Sequence, residues 1–176
     1  MKKTVITFGL ISGIILSVLI VAVTFAPIPN MNFGKGQVMG YTSIVLSFVL
    51  IFFGIRSYRE NVGNGSITFG KAFTAGILIT VISSLCYVAT WLIIYYNFFP
   101  NFIDEYASYT IEGMKANGAT QAAIDRVITD MEHYKVQYNN PFFNAAVTFM
   151  EPFPIGLVIT LISAAILRKK VVLATV

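Results

Sequence analysis

Glu151 stands inside an apolar stretch of the chain, in the run Met150-Glu151-Pro152-Phe153-Pro154. A carboxylate with such neighbours is costly in lipid and often functional. Two roles suit the spacing. Proline is favoured at the first position of a helix, so Glu151 can stand at the cap before Pro152, its charge beside the positive helix end. Alternatively it is an intramembrane polar site, with Lys35, Tyr41, Tyr95, Tyr96 and Asn97 as the groups placed to meet it. The capping role is the plainer of the two. The apolar runs hold no second carboxylate for an acid–base pair, which counts against hydrolysis.

Other reactive side chains are few. Cys86 is the only cysteine and lies in an apolar run, and the only histidine is His133. One of each excludes a zinc site of the usual kind and an internal disulfide. A Cys–His nucleophile pair would need both at one depth, and the topology below separates them. His133 reads as a surface or packed histidine near Met131 and Tyr134. No catalytic, metal or cofactor residues are expected, and no enzymatic activity.

Composition then dictates the elements that position these groups. The 176 residues are 56% hydrophobic and 11% charged, against about 25% charged in soluble domains. Four apolar runs follow, at about 4–26, 38–55, 70–97 and 145–168, each able to cross about 30 Å of hydrocarbon. The first is too long for the apolar part of a signal peptide, so it reads as an uncleaved span. Pro27 to Asn30 end it, because proline breaks the helical hydrogen-bond ladder. Asn61 to Ser66 form a turn-rich connector. The third run is the longest, and Trp91, Tyr95 and Tyr96 near its far end read as an interfacial aromatic belt. If Glu151 caps, Phe142 to Met150 form a separate interfacial piece and the last helix runs from Pro152 towards Val171 and Val172.

Basic residues divide unequally. Lys2, Lys3, Arg56, Arg59, Lys71, Arg168, Lys169 and Lys170 fall on one side, and Lys35, Lys115, Arg126 and Lys135 on the other. The excess marks the cytoplasmic side, which places both ends of the chain there. Arg56, Arg59, Lys71, Arg168, Lys169 and Lys170 serve as membrane-interface anchors. The intervening segment, about 100–140, is net acidic and carries two apolar stripes at helical spacing. One comprises Phe102, Ile103, Tyr106, Thr110 and Met114; the other comprises Ile124, Val127, Ile128, Met131, Tyr134 and Tyr138. Asn117-Gly118 suits a left-handed cap and Thr120 an N-cap. The expected fold is an all-α integral membrane four-helix bundle, one domain over 1–176, with an extracytoplasmic amphipathic helical hairpin between spans three and four.

Gly9-Leu10-Ile11-Ser12-Gly13 is a G-x-x-x-G, and Ala72 to Gly76 is its small-residue analogue; both permit close helix approach. Ile6-Thr7-Phe8-Gly9 recurs as Ile67-Thr68-Phe69-Gly70, a sign of a duplicated helix pair. Four further segments carry a resemblance: Gly40-Tyr41-Thr42-Ser43, Phe52-Phe53-Gly54-Ile55-Arg56-Ser57-Tyr58-Arg59, Phe69-Gly70-Lys71-Ala72-Phe73 and Glu151-Pro152-Phe153-Pro154-Ile155-Gly156-Leu157. With these, nearly the whole chain resembles the small four-span membrane proteins catalogued as domain of unknown function 4199, found mainly in Bacteroidetes and relatives. The resemblance implies a bacterial inner-membrane protein and no activity. The expected function is association through helix–helix contact, as a homo-oligomer or a small subunit of a membrane complex. The lipid bilayer and a membrane-protein partner are the expected partners, and nucleic acid is not. The alternative is a small-solute or ion transporter or channel built by oligomerisation. It would use Glu151 and the hydroxyls of Thr80, Ser83, Ser84, Thr90, Thr160 and Ser163.

Overall fold

The computed structural model describes residues 1–25 and 33–169. The stop at Pro27 to Asn30, the anchor Lys170 and the continuation into Val171 and Val172 lie outside these residues. Among the described residues seven helices follow in order: α1 Lys2–Phe25, α2 Phe33–Asn61, α3 Phe69–Phe98, α4 Phe102–Ala116, α5 Gln121–Tyr138, α6 Pro141–Phe149 and α7 Pro152–Leu167. Four stretches are long and apolar enough to cross a membrane: α1, α2, α3 and the combined α6–α7 stretch Pro141–Leu167.

Two of the spans outrun their apolar cores for identifiable reasons. At its start, α2 is held by the Phe33 ring, which packs edge-on against Phe102 and Tyr106 at 5.7 and 5.8 Å. At its end, Arg56 pairs with Glu60 one turn on, at 3.1 Å, a spacing that supports a helix. The fourth stretch starts at Pro141 because Asn140 caps it, its Oδ1 accepting from the amides of Phe142 and Phe143 at 2.9 and 3.4 Å.

Glycine, serine and threonine bring the spans together. A Cβ on Gly9 would come within 2.9 Å of the Ile82 side chain, and one on Gly13 within 2.7 Å of Cys86 Sγ. The Gly9/Gly13 motif is therefore filled by α3 of the same chain. Ser83 Oγ donates to the Gly9 carbonyl at 3.0 Å across that seam, and Thr90 Oγ1 donates to Ser17 Oγ at 2.8 Å. Between α1 and α2, Ser12 and Ser47 exchange hydrogen bonds with each other's carbonyl, at 3.0 and 2.8 Å. Between α3 and α7 the interlock is reciprocal: a Cβ on Gly76 would strike Thr160, and one on Gly156 would strike Thr80. The two threonine hydroxyls are 3.3 Å apart. Phe48, Ile51, Ile55 and Ile79 fill the buried core beside this crossing.

The recurrent Ile-Thr-Phe-Gly has no common structural role. Thr68 is the N-cap of α3, accepting from the Lys71 amide, whereas Thr7 lies within α1. Gly9 touches Ile82, while Gly70 faces open space. Four matching letters in an apolar chain do not make a duplicated helix pair here.

Met1, the α2–α3 connector and Lys169 share one end of the bundle. Asn64 and Gly65 adopt positive φ, at 47° and 80°, which turns the connector sharply. Ile67 and Lys169 then pair as an isolated antiparallel bridge, each amide donating to the other's carbonyl at 3.0 and 2.9 Å. α7 stops at Leu167, next to the expected end at about 168, and the chain there turns extended to meet Ile67.

The opposite end carries the α4–α5 hairpin. Gly118, at φ 73°, closes α4. Ala119 N bonds to Met114 O at 3.0 Å and Gly118 N to Lys115 O at 3.1 Å, the paired bonds of a Schellman cap. Thr120 Oγ1 caps α5 by accepting from Ala123 N. Lys135 on α5 pairs with Asp104 on α4 at 2.6 Å.

Candidate functional site at the α6–α7 break

The break follows from one proline. Pro152 has no amide hydrogen, so the Thr148 carbonyl loses its helical donor and takes the Glu151 amide instead, at 3.3 Å. Glu151 stands in the cap position of α7 with helical backbone angles, φ −75° and ψ −58°, and its side chain makes no capping bond. Side-chain capping needs an extended residue at this position. The carboxylate turns instead to α3, where Tyr87 Oη donates to Glu151 Oε2 at 2.7 Å.

The groups placed by sequence to meet Glu151 go elsewhere. Tyr95 Oη donates to Asn139 Oδ1 at 2.9 Å, and Tyr96 Oη to the Asn139 carbonyl at 3.1 Å. Asn97 Nδ2 donates to Ile93 O on its own helix. Tyr41 is exposed on α2. Glu151 and Tyr87 are the pair that meets, and Tyr87 is the residue sequence reasoning missed. Its only signal was periodicity: Tyr87, Trp91 and Tyr95 recur every four residues and share one face of α3.

That aromatic face meets a polar one. Asn144, Thr148 and Glu151 share one side of the α6–α7 stretch, and the end of α5 covers both faces with Tyr134, Tyr138 and Asn139. Trp91 Nε1 donates to Tyr138 Oη at 2.9 Å. Thr148 Oγ1 donates to Asn144 Oδ1 at 3.1 Å. Around these bonds the rings of Tyr95 and Tyr138 meet edge-on at 5.2 Å, and those of Trp91 and Phe102 at 5.0 Å. Burial pushes the Tyr138 phenol up to about 12, the negative Glu151 adds to the shift, and Thr148 and Trp91 oppose it by hydrogen bonding. Burial and then Glu151 also raise the Tyr134 phenol.

Three polar atoms on this seam have no partner among the described residues, or only half their capacity used. Ser84 Oγ and Asn144 Nδ2 are buried without a hydrogen bond. Glu151 accepts through one oxygen only. Ser84 Oγ and the second Glu151 oxygen can therefore accept from an added donor, whereas the Asn144 amide needs an acceptor. Among the described residues, no three His, Cys, Asp or Glu side chains gather as metal ligands. His133 is exposed on α5.

The basic residues cluster at the other end. Arg56 and Arg59 both bond Glu60, at 3.1 and 3.0 Å. Arg59 Nη1 also reaches the Leu167 carbonyl at 3.4 Å, closing the last turn of α7. Lys71, Arg168 and Lys169 are exposed beside them.

Residues 7–169 match the model of a family described as a protein of unknown function (DUF4199). The chain belongs to that family. No curated protein and no solved structure matches it. The DUF4199 match covers both the glycine–threonine crossing and the Tyr87–Glu151 pair.

Proposed function

We propose that this DUF4199 protein is a non-enzymatic subunit of a bacterial inner-membrane assembly, with both ends cytoplasmic and the α4–α5 hairpin outside. It works by docking other membrane proteins. The observation that carries this reading is the use made of the span hydroxyls. Ser12–Ser47, Ser17–Thr90, Ser83–Gly9 and Thr80–Thr160 are distributed over three helix seams. A transport path needs such groups gathered around one route, and these instead hold the helices together. The Gly9/Gly13 face is occupied by α3, so association uses other surfaces. The hairpin supplies one: Val136 is 74% exposed and Ile128 37%, beside exposed Tyr106 and Tyr109. The excess of basic residues at the opposite end supports the orientation.

Affinity purification of the full chain from mild detergent tests the docking. A membrane protein should co-purify stoichiometrically and be lost when Val136 and Ile128 are both changed to Asp. The proposal fails if the chain purifies alone as a monomer. Orientation is read separately: Lys115→Cys should react with an impermeant thiol reagent in whole spheroplasts. Protection there, with labelling of Arg168→Cys, would invert it.

A further inference from the structure

Depth in the membrane can be counted from the basic end. A core of about 30 Å takes roughly 20 helical residues. Counted from Lys71, that distance ends near Trp91; counted back from Arg168 it ends near Thr148, and from Arg56 near Gly36. These three residues mark one boundary, and the sole tryptophan of the chain lies on it, where tryptophan is favoured. Glu151 lies three positions further in than Thr148, roughly 5 Å below the boundary.

At that depth Glu151 is exposed on the surface of the chain. Its neighbours there are apolar: Met150 is exposed, and Phe149 and Phe153 stack at 5.1 Å. Tyr87 supplies a neutral hydroxyl only. The ion pairs among the described residues are Arg56–Glu60, Arg59–Glu60 and Lys135–Asp104, and none includes Glu151. A carboxylate at lipid depth is stabilised by a counter-charge or by reaching the headgroup layer. One turn before Tyr87 on α3, Ser84 Oγ is buried without a partner among the described residues and has lone pairs to offer a donor. Glu151 thus has one hydrogen-bond partner among the described residues, and the rest of its side is open at the surface of the bundle.

We propose that Glu151, held by Tyr87, is the anchor of an ammonium-binding site at the lipid-facing break between α6 and α7. Its ligand is the primary ammonium of an aminophospholipid headgroup or of a small free amine. The Tyr87 hydroxyl fixes one carboxylate oxygen and leaves the other to accept from the ammonium. Trp91 and the phenols of Tyr134 and Tyr138 line the headgroup side, as suits a cation near aromatic rings. This inference does not depend on the docking role proposed above.

The test uses the full chain in nanodiscs that hold phosphatidylethanolamine and phosphatidylglycerol in equal amounts with matched acyl chains. Lipids retained after release are counted by native mass spectrometry. The unaltered chain should retain phosphatidylethanolamine over phosphatidylglycerol by about tenfold, as one charge-assisted contact allows. Glu151→Gln, similar in size and still able to accept from Tyr87, should bring the two to parity. Tyr87→Phe keeps the carboxylate and should keep most of the preference. Added ethanolamine that displaces the lipid and shifts Trp91 emission would extend the ligand to free amines; failure to displace assigns it to the headgroup. Parity in the unaltered chain overturns the proposal. So does a preference untouched by Glu151→Gln, or one that Tyr87→Phe abolishes equally.

Discussion

Where α3 crosses α7, the helices meet through glycine and threonine; two turns further along, α3 meets the α6–α7 break and the end of α5 through phenols, an indole and an amide. The first contact is steric and reciprocal, Gly76 against Thr160 and Gly156 against Thr80. It leaves no space for a change of side chain and sets how the two helices register. The second is built from side-chain hydrogen bonds, Tyr87 to Glu151 and Trp91 to Tyr138, and leaves polar atoms unsatisfied. The contrast separates what holds the bundle from what is available to bind. Close backbone packing supplies adhesion in lipid, where apolar burial gives little drive, and incomplete hydrogen bonding marks the place a ligand can complete.

Substitutions should divide along the same line. The largest effect is expected for Gly156→Leu. Its side chain would overlap Thr80 and come against the Phe48 ring, 2.8 Å from Cβ. Overpacking of this kind costs about 3 kcal/mol or more, and α7 should separate from α3. Thermal unfolding in detergent, followed by size-exclusion chromatography, should show loss of the folded monodisperse species. A stable Gly156→Leu chain would break the steric half of the comparison.

The polar half is read by pH. The folded chain holds the Tyr138 proton at about 12 rather than 10. The resulting contribution, about 2–3 kcal/mol, is complete below pH 10 and is lost as pH rises through about 12. Stability measured across that window should fall, and the ultraviolet absorbance of tyrosinate should show phenols ionising late, Tyr138 among them. Tyr138→Phe should reduce both features. Trp91→Phe, which takes away a donor to the phenolate, should move the ionisation higher still.

The smallest effect is expected at the hairpin. Lys135 and Asp104 are about half exposed, at 43% and 48%. Lys135→Ala should cost no more than about 0.5 kcal/mol and less at high salt. A larger loss in unfolding experiments would mean that the hairpin belongs to the bundle's support and not to its surface.

Much of this architecture is legible in the residues. Pro152 announces the break between α6 and α7, because a missing amide hydrogen acts locally. Gly118 and Thr120 mark the hairpin turn for the same reason: their conformational demands are met within a few residues. Partners across helices are harder to foresee. Tyr87 sits mid-run in α3, and only the Gly76–Thr160 interlock, distant in sequence, brings it level with Glu151. Sequence reasoning sought partners for Glu151 at the outer ends of α2 and α3, and so named Tyr95, whose hydroxyl is taken by Asn139. The end of α7 was legible in Arg168-Lys169-Lys170, which close the apolar run, whereas the pairing of Lys169 with Ile67, a partner distant in sequence, was not.

That meeting has a consequence of its own. The Ile67–Lys169 bridge is made by main-chain groups alone, so substitution of either side chain leaves it available. It draws residues 67 to 169 into a closed circuit, with α3 at one end of the thread and α7 at the other, while α1 and α2 enter from outside that circuit. A chain split in the α2–α3 connector should therefore yield two unequal fragments. The larger carries its own closure, and the smaller recovers its place by packing Gly9, Gly13 and Gly54 back against α3 and Phe48 against α7.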